Sequence, residues 1–121
     1  MPPWDLLERT RLFALAVTKF CRELPATREA HEAGNQLRRA ATSTRANYRA
    51  ARRGGSRPQF RAKLQIAFEE ADECVGWLDY LKEAHIQENA ALLQEAREVA
   101  SILAKSVQTA RKNAQAAGPK K

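Results

Sequence analysis

Read along the chain, apolar residues recur three and four positions apart in four long stretches, and only short breaks separate them. A helix needs that spacing to gather its apolar side chains on one face. No run of strict apolar/polar alternation competes with it, and no internal repeat is visible. The first stretch predicts a helix over about Asp5–Glu23. Pro2, Pro3 and the capping-type Asp5 precede it, Trp4 is placed to staple its entry, and Leu24-Pro25 ends it. Its stripe is Leu6, Phe13, Val17, Phe20 and Leu24, and Leu7, Leu12, Leu15 and Ala16 widen the apolar arc. A helix apolar around most of its circumference is buried on more than one side, which points to a subunit interface or a thick core.

The second helix is predicted over about Glu29–Arg53, with the seam Ala30, Ala33, Leu37, Ala40, Thr44, Asn47 and Ala51. These side chains are small, so a neighbouring helix can approach closely. Asn47 on that seam is read as structural, making an interhelical hydrogen bond that fixes register. Gly54-Gly55 stops the helix. Ser56 then caps a third helix, with Pro58 in its first turn. That helix continues to about Ala84 on the stripe Phe60, Leu64, Ala67, Phe68, Ala71, Cys74, Val75, Leu78 and Leu81. The fourth runs over about Glu88–Ala114, with Leu92, Ala96, Val99, Leu103, Ser106, Val107 and Ala110 on one face. Four helices roughly 30–40 Å long, at 1.5 Å per residue, joined by short loops make an all-α, antiparallel up-down-up-down four-helix bundle. The bundle is assigned to residues 1–115, and 116–121 to a basic flexible tail.

Composition agrees with one soluble domain: 121 residues, 44% hydrophobic and 29% charged, with five glycines and five prolines, most of them at element ends. No apolar run approaches the ~18–20 residues that span a bilayer. No signal peptide is visible, so a cytoplasmic location is expected. Cys21 and Cys74 lie on apolar stripes without CxxC spacing and read as core thiols. The charge distribution is the more telling property. The net charge is +7, but residues 28–63 carry ten Lys/Arg against two acids, whereas residues 64–110 carry three against nine. Segregation of this kind places positive field on particular surfaces, and such surfaces attract phosphate backbones.

Enzyme templates fail, and no cofactor or metal is expected. His31 and His85 are lone histidines near helix ends, without a second ligand at i+4. Glu88 and Glu95 have no histidine three residues on, as a di-metal bundle requires. Gly54-Gly55 lacks the context of a phosphate loop, and Ser43 has no local base. The acidic group Glu69, Glu70, Asp72 and Glu73 reads as a solvated face, with some members available to the arginines of the second helix. Trp77 and Tyr80 read as core or subunit interface rather than as a base-stacking platform.

The arginines are better organised. Arg38, Thr42, Arg45, Arg49 and Arg52 are spaced +4, +3, +4, +3. At 100° per residue they stay within about 40° of one line, roughly 120° from the seam. Arg53, Arg57 and Arg61 carry the charge around the turn into the third helix. Arginine suits bidentate phosphate contact and stacking on bases. Arg38, Arg45, Arg49, Arg52, Arg53, Arg57 and Arg61 are therefore the candidate nucleic-acid-binding residues, serving RNA or DNA backbone with little sequence information. Two alternatives stay open: a solvated face, or arginines paired with acids of the third helix, another subunit or a partner protein. The opposite face of the stripe lacks Trp and Phe, which argues against a membrane partner.

The stretch Gln36-Leu37-Arg38-Arg39-Ala40-Ala41-Thr42-Ser43, followed by Asn47-Tyr48-Arg49-Ala50-Ala51-Arg52, resembles a signature of the form Q-x-R-R-A-x-x-S…N. It belongs to small bacterial four-helix-bundle proteins first noticed as products of intervening sequences in 23S ribosomal RNA genes. Phe60-x-x-Lys63-Leu64-x-Ile66-Ala67-x-Glu69-Glu70-Ala71-Asp72-Glu73 and Trp77-Leu78 fit the third-helix pattern of one branch. The resemblance covers roughly residues 4–110, with the first and last helices matching in pattern only. Many members carry Glu-Gly where this chain has Ala50-Ala51, so no role of that glutamate carries over. The resemblance implies a ring, typically a homopentamer, without enzymatic activity. The accessory variability protein of diversity-generating retroelements uses the same fold, and it implies nucleic acid and a reverse transcriptase as partners.

Overall fold

The computed structural model describes residues 5–118 as four helices: α1 (Leu6–Arg22), α2 (Arg28–Arg52), α3 (Arg57–Glu83) and α4 (Ala90–Ala116). Three of the four starts carry a side-chain cap, and α1 lacks the expected one. Asp5 makes no side-chain capping bond to α1. Thr27 opens α2, its hydroxyl accepting from the Ala30 amide at 3.2 Å. Ser56 and Gln59 form a reciprocal capping box at α3, with Pro58 in the first turn. Asn89 caps α4 through the Leu92 amide at 3.0 Å. The positive φ of Gly54 (107°) and Gly55 (110°) turns the chain from α2 to α3. Trp4, expected as a staple, and the last three residues of the tail lie outside the described residues.

α2 packs along α1 and α3, α3 packs along α2 and α4, and α1 meets α4 only over a short stretch. The core is formed by Phe13 and Val17 of α1, Leu37 of α2, Leu64 and Leu81 of α3, and Val99 and Leu103 of α4, all essentially without solvent contact. Each such side chain contributes about 1.5–3 kcal/mol relative to exposure. The buried polar groups Thr10 and Thr44 return their hydroxyls to the carbonyls of Leu6 and Ala40, both at 2.8 Å. Thus neither leaves an unpaired donor.

The seam of α2 differs from expectation at its C-terminal half. Tyr48 is buried, whereas Asn47 is only half-buried. The Asn47 amide donates to the Ser43 carbonyl and hydroxyl, at 2.9 and 3.0 Å, so its bonds stay within α2 and tie no second helix. Thr44 and Ala51 hold the helix phase that brings Tyr48 inward, and a tyrosine buries more apolar area than an asparagine. α1 shows the opposite of a thick core: Leu7, Leu12 and Leu15 are 43%, 43% and 52% exposed.

α3 ends in a Schellman arrangement. The Ile86 amide bonds the Leu81 carbonyl at 3.0 Å, and His85 adopts φ 57°, the left-handed region that glycine enters without penalty. The variant His85→Gly is therefore expected to be more stable by about 1 kcal/mol. Thermal melts should record a rise of several degrees in the midpoint, and an unchanged or lower midpoint would mean that the imidazole itself stabilises the turn.

Candidate nucleic-acid interface

With the small-residue seam of α2 turned inward, its arginines lie on the face that α1 and α3 leave open. Arg45, Arg49, Arg52 and Arg53 converge beside the start of α1, where Asp5, Leu7, Glu8 and Arg11 complete a shallow hollow. Arg45 is half-buried and the other three α2 arginines are exposed. The hollow's glutamate is already engaged: Arg11 Nε and Nη2 donate to the two Glu8 oxygens, each at 2.7 Å. That fork holds the Glu8 carboxyl below its usual range, and Arg45 adds a weaker pull.

The seven nominated arginines do not form one unbroken surface. Arg38 stands farther along α2, near Cys21. Arg57 and Arg61 line a separate groove with Phe60 and the C-terminal end of α4. Arg52 belongs both to the hollow and to the mouth of a groove between α2, α3 and α4. None of the seven forms an ion pair among the described residues, where the pairs belong to Arg9, Arg11 and Arg97. The alternative of pairing with the acids of α3 is not realised among the described residues. Arg39 faces Glu70 and Glu73 across a polar hollow without bridging to either.

Trp77 and Tyr80 meet edge to face, with ring centres 5.8 Å apart, and Trp77 Nε1 donates to Glu73 at 3.3 Å. Glu29 and Glu32 of α2 border the same spot. This aromatic pair therefore sits in negative surroundings, away from the arginine cluster. Both cysteines are free, and burial pushes the Cys74 thiol up to about 12. No group of three or more metal-ligating side chains occurs among the described residues. No described helix is long and apolar enough to cross a membrane.

The model of the 23S rRNA-intervening sequence protein family matches residues 4–105. The chain belongs to this family. It is also similar to a crystal structure from Bacteroides thetaiotaomicron, that of a protein of unknown function from the S23 ribosomal protein family. The TM-score is 0.79 at 24% identity, over 89% of this chain and 99% of that one. The all-α up-and-down four-helix bundle is thereby shared between the two. No curated protein matches at a comparable level.

In this family member, sequence reasoning missed the tie between the first and last helices. Arg9 Nε and Nη2 donate to the two Glu95 oxygens at 2.8 and 2.7 Å, and Nη2 also reaches Glu98 at 2.7 Å. A spacing of 86 residues leaves no local signal of such a pair. It also missed Arg11, Phe60, Lys105 and Asn113 as neighbours of the arginine surface, because three different helices supply them.

The Arg9 fork is mostly shielded from solvent, with 19% of its side chain exposed. Arg9→Met is expected to lower stability by about 1–2 kcal/mol. Glu98 adds a pH dependence. A hydrogen bond from Gln94, and then Arg9, hold its carboxyl below the ordinary value of 4.5. A depressed folded value favours the folded state above the unfolded value, and the benefit is lost as pH falls through the folded one. Thermal melts from neutral pH down to about pH 3 should therefore show a shallower acid decline in Arg9→Met than in the parent. Parallel declines would separate Arg9 from the acid response.

Proposed function

We propose that this protein is a non-enzymatic, oligomeric helical bundle of the cytoplasm that binds the phosphate backbone of RNA or DNA. Arg45, Arg49, Arg52 and Arg53 make the central contacts, and Arg38, Arg57 and Arg61 widen the positive field. The observation that carries this reading is the convergence of Arg45, Arg49, Arg52 and Arg53 on one hollow, with none of them in a salt bridge among the described residues. A cluster of unpaired guanidinium groups repels itself, and a polyanion relieves that repulsion while releasing its own counterions. The family resemblance supports a homopentameric ring, in which repeated copies of one basic patch give avidity. It also supports a role as accessory to a retroelement reverse transcriptase.

The exposed leucines of α1 favour a second reading on which the ring also depends. Leu7, Leu12 and Leu15 are exposed on α1, and Leu7 borders the basic hollow. Another subunit or a partner protein seated there would bring its own acids to the arginines, making the bundle a protein-interaction scaffold.

Salt separates the two readings. If about four phosphates are neutralised, affinity for duplex should fall with added salt at a log–log slope of about −3.6. The triple variant Arg45→Glu, Arg49→Glu, Arg52→Glu should lose binding to labelled RNA and DNA while keeping its helical circular dichroism. Retained binding would overturn the proposal. Independently, Leu12→Glu with Leu15→Glu is expected to give monomers by light scattering, and an unchanged assembly would place the interface elsewhere.

A further inference from the structure

The basic surface continues from α2 into a groove that the sequence did not reveal. The C-terminal half of α2, the start of α3 and the C-terminal half of α4 bound about 730 Å³ of open space. No α1 residue lines it. Its floor is apolar, formed by Tyr48, Phe60, Leu64 and Ile102. Phe60 is half-buried and lines the groove. Arg52 and Lys105 also line it, and Arg57 and Arg61 line an adjoining part that shares Phe60, Ala110 and Asn113 with it. Asn113 borders both parts of the groove. No acidic residue lines either part.

We infer that this groove takes an unpaired nucleotide, its base against Phe60 and its flanking phosphates on Arg52, Arg57, Arg61 and Lys105. The inference rests on the phosphate-binding reading above and narrows its ligand to single-stranded nucleic acid. Three features carry it. An apolar floor with an aromatic ring offers a base the stacking surface it loses on leaving a duplex. Two cations on that floor and two more on the adjoining part, with no acid on either, match a polyanion strand rather than a neutral or cationic partner. Arg52 makes the groove continuous with the hollow, so one strand can track from one to the other. A duplex keeps its bases stacked inside and has nothing to insert. The Trp77–Tyr80 pair fails the same test, since glutamates surround it.

The test compares a labelled oligouridylate of about a dozen nucleotides with an RNA duplex of the same length. Binding is read by fluorescence anisotropy for the full chain, Phe60→Leu and Thr109→Met. The first substitution removes the ring while keeping an apolar side chain. The second adds bulk from an exposed position on the groove wall and spares the core. Each variant is expected to weaken the single strand about tenfold, on the scale of one stacked base, and to leave the duplex within twofold. Equal losses on both ligands, or no loss on the single strand in either variant, would overturn the groove while leaving the arginine reading intact. That reading fails separately if the parent protein binds neither ligand at low salt, and the groove then falls with it.

Discussion

The bundle depends on one constraint: α2 must be thin enough to lie between two helices at once. Ala30, Ala33, Gly34, Ala40 and Ala41 meet that requirement, all buried and all small. Close approach on two sides buries the small-residue side of α2 and leaves its opposite side open to solvent. Its long charged side chains leave through that open side, while Leu37 and Tyr48 turn inward. The arginines are consequently crowded together by the packing, and their charge is concentrated without any specific contact arranging it. A core of large side chains on α2 would have spread the same residues over a wider, weaker surface.

Crowding like charges carries an energetic cost, and the structure pairs cations elsewhere while leaving these unpaired. Arg9 engages two glutamates of α4, Arg11 takes Glu8, and Arg97 meets Asp79. Carboxylates of α3 stand near α2, and the arginine stripe engages none of them. The acids Glu29 and Glu32 belong to α2 itself, at its N-terminal end beside Trp77 and Tyr80. The bundle is therefore polar along its length, with an acidic aromatic end and a basic end. An extended field of this kind orients an approaching polyanion before any contact forms.

Much of the fold was legible because helical periodicity and capping chemistry act locally. Ser56 with Pro58 and the Gly54-Gly55 break place the α2–α3 turn to within a residue, and the stripe of α3 buries Leu64, Ala67, Ala71, Cys74, Leu78 and Leu81 as its spacing requires. The errors arise where two residues compete for one position. Asn47 and Tyr48 are neighbours on α2, and only the packed structure decides which turns inward. The width of the apolar arc on α1 was visible, but the sequence could not distinguish a thick core from an uncovered face. The arginine stripe was legible as an angular coincidence on one helix. Its division into a hollow and a groove was not, because Arg11, Lys105 and Asn113 arrive from helices distant in sequence.

The groove follows from the unequal lengths of the helices. α1 has 17 residues, whereas α3 and α4 have 27 each, so one short helix cannot cover the full length of its neighbours. The Arg9 fork fixes where α1 meets α4, and that contact is brief. Apolar side chains of α2, α3 and α4 beyond it keep their place in the stripe but lack a fourth helix to bury them. Tyr48, Phe60 and Ile102 pack on the core from one side and line the groove on the other, and the aliphatic stems of adjacent basic side chains can lie along such apolar surface while their charges reach water. An aromatic floor under a cationic rim results from that geometry together with the charge segregation along the sequence. A four-helix bundle with four equal helices, or with the acids of α3 moved to residues 57–63, would lack one half of it.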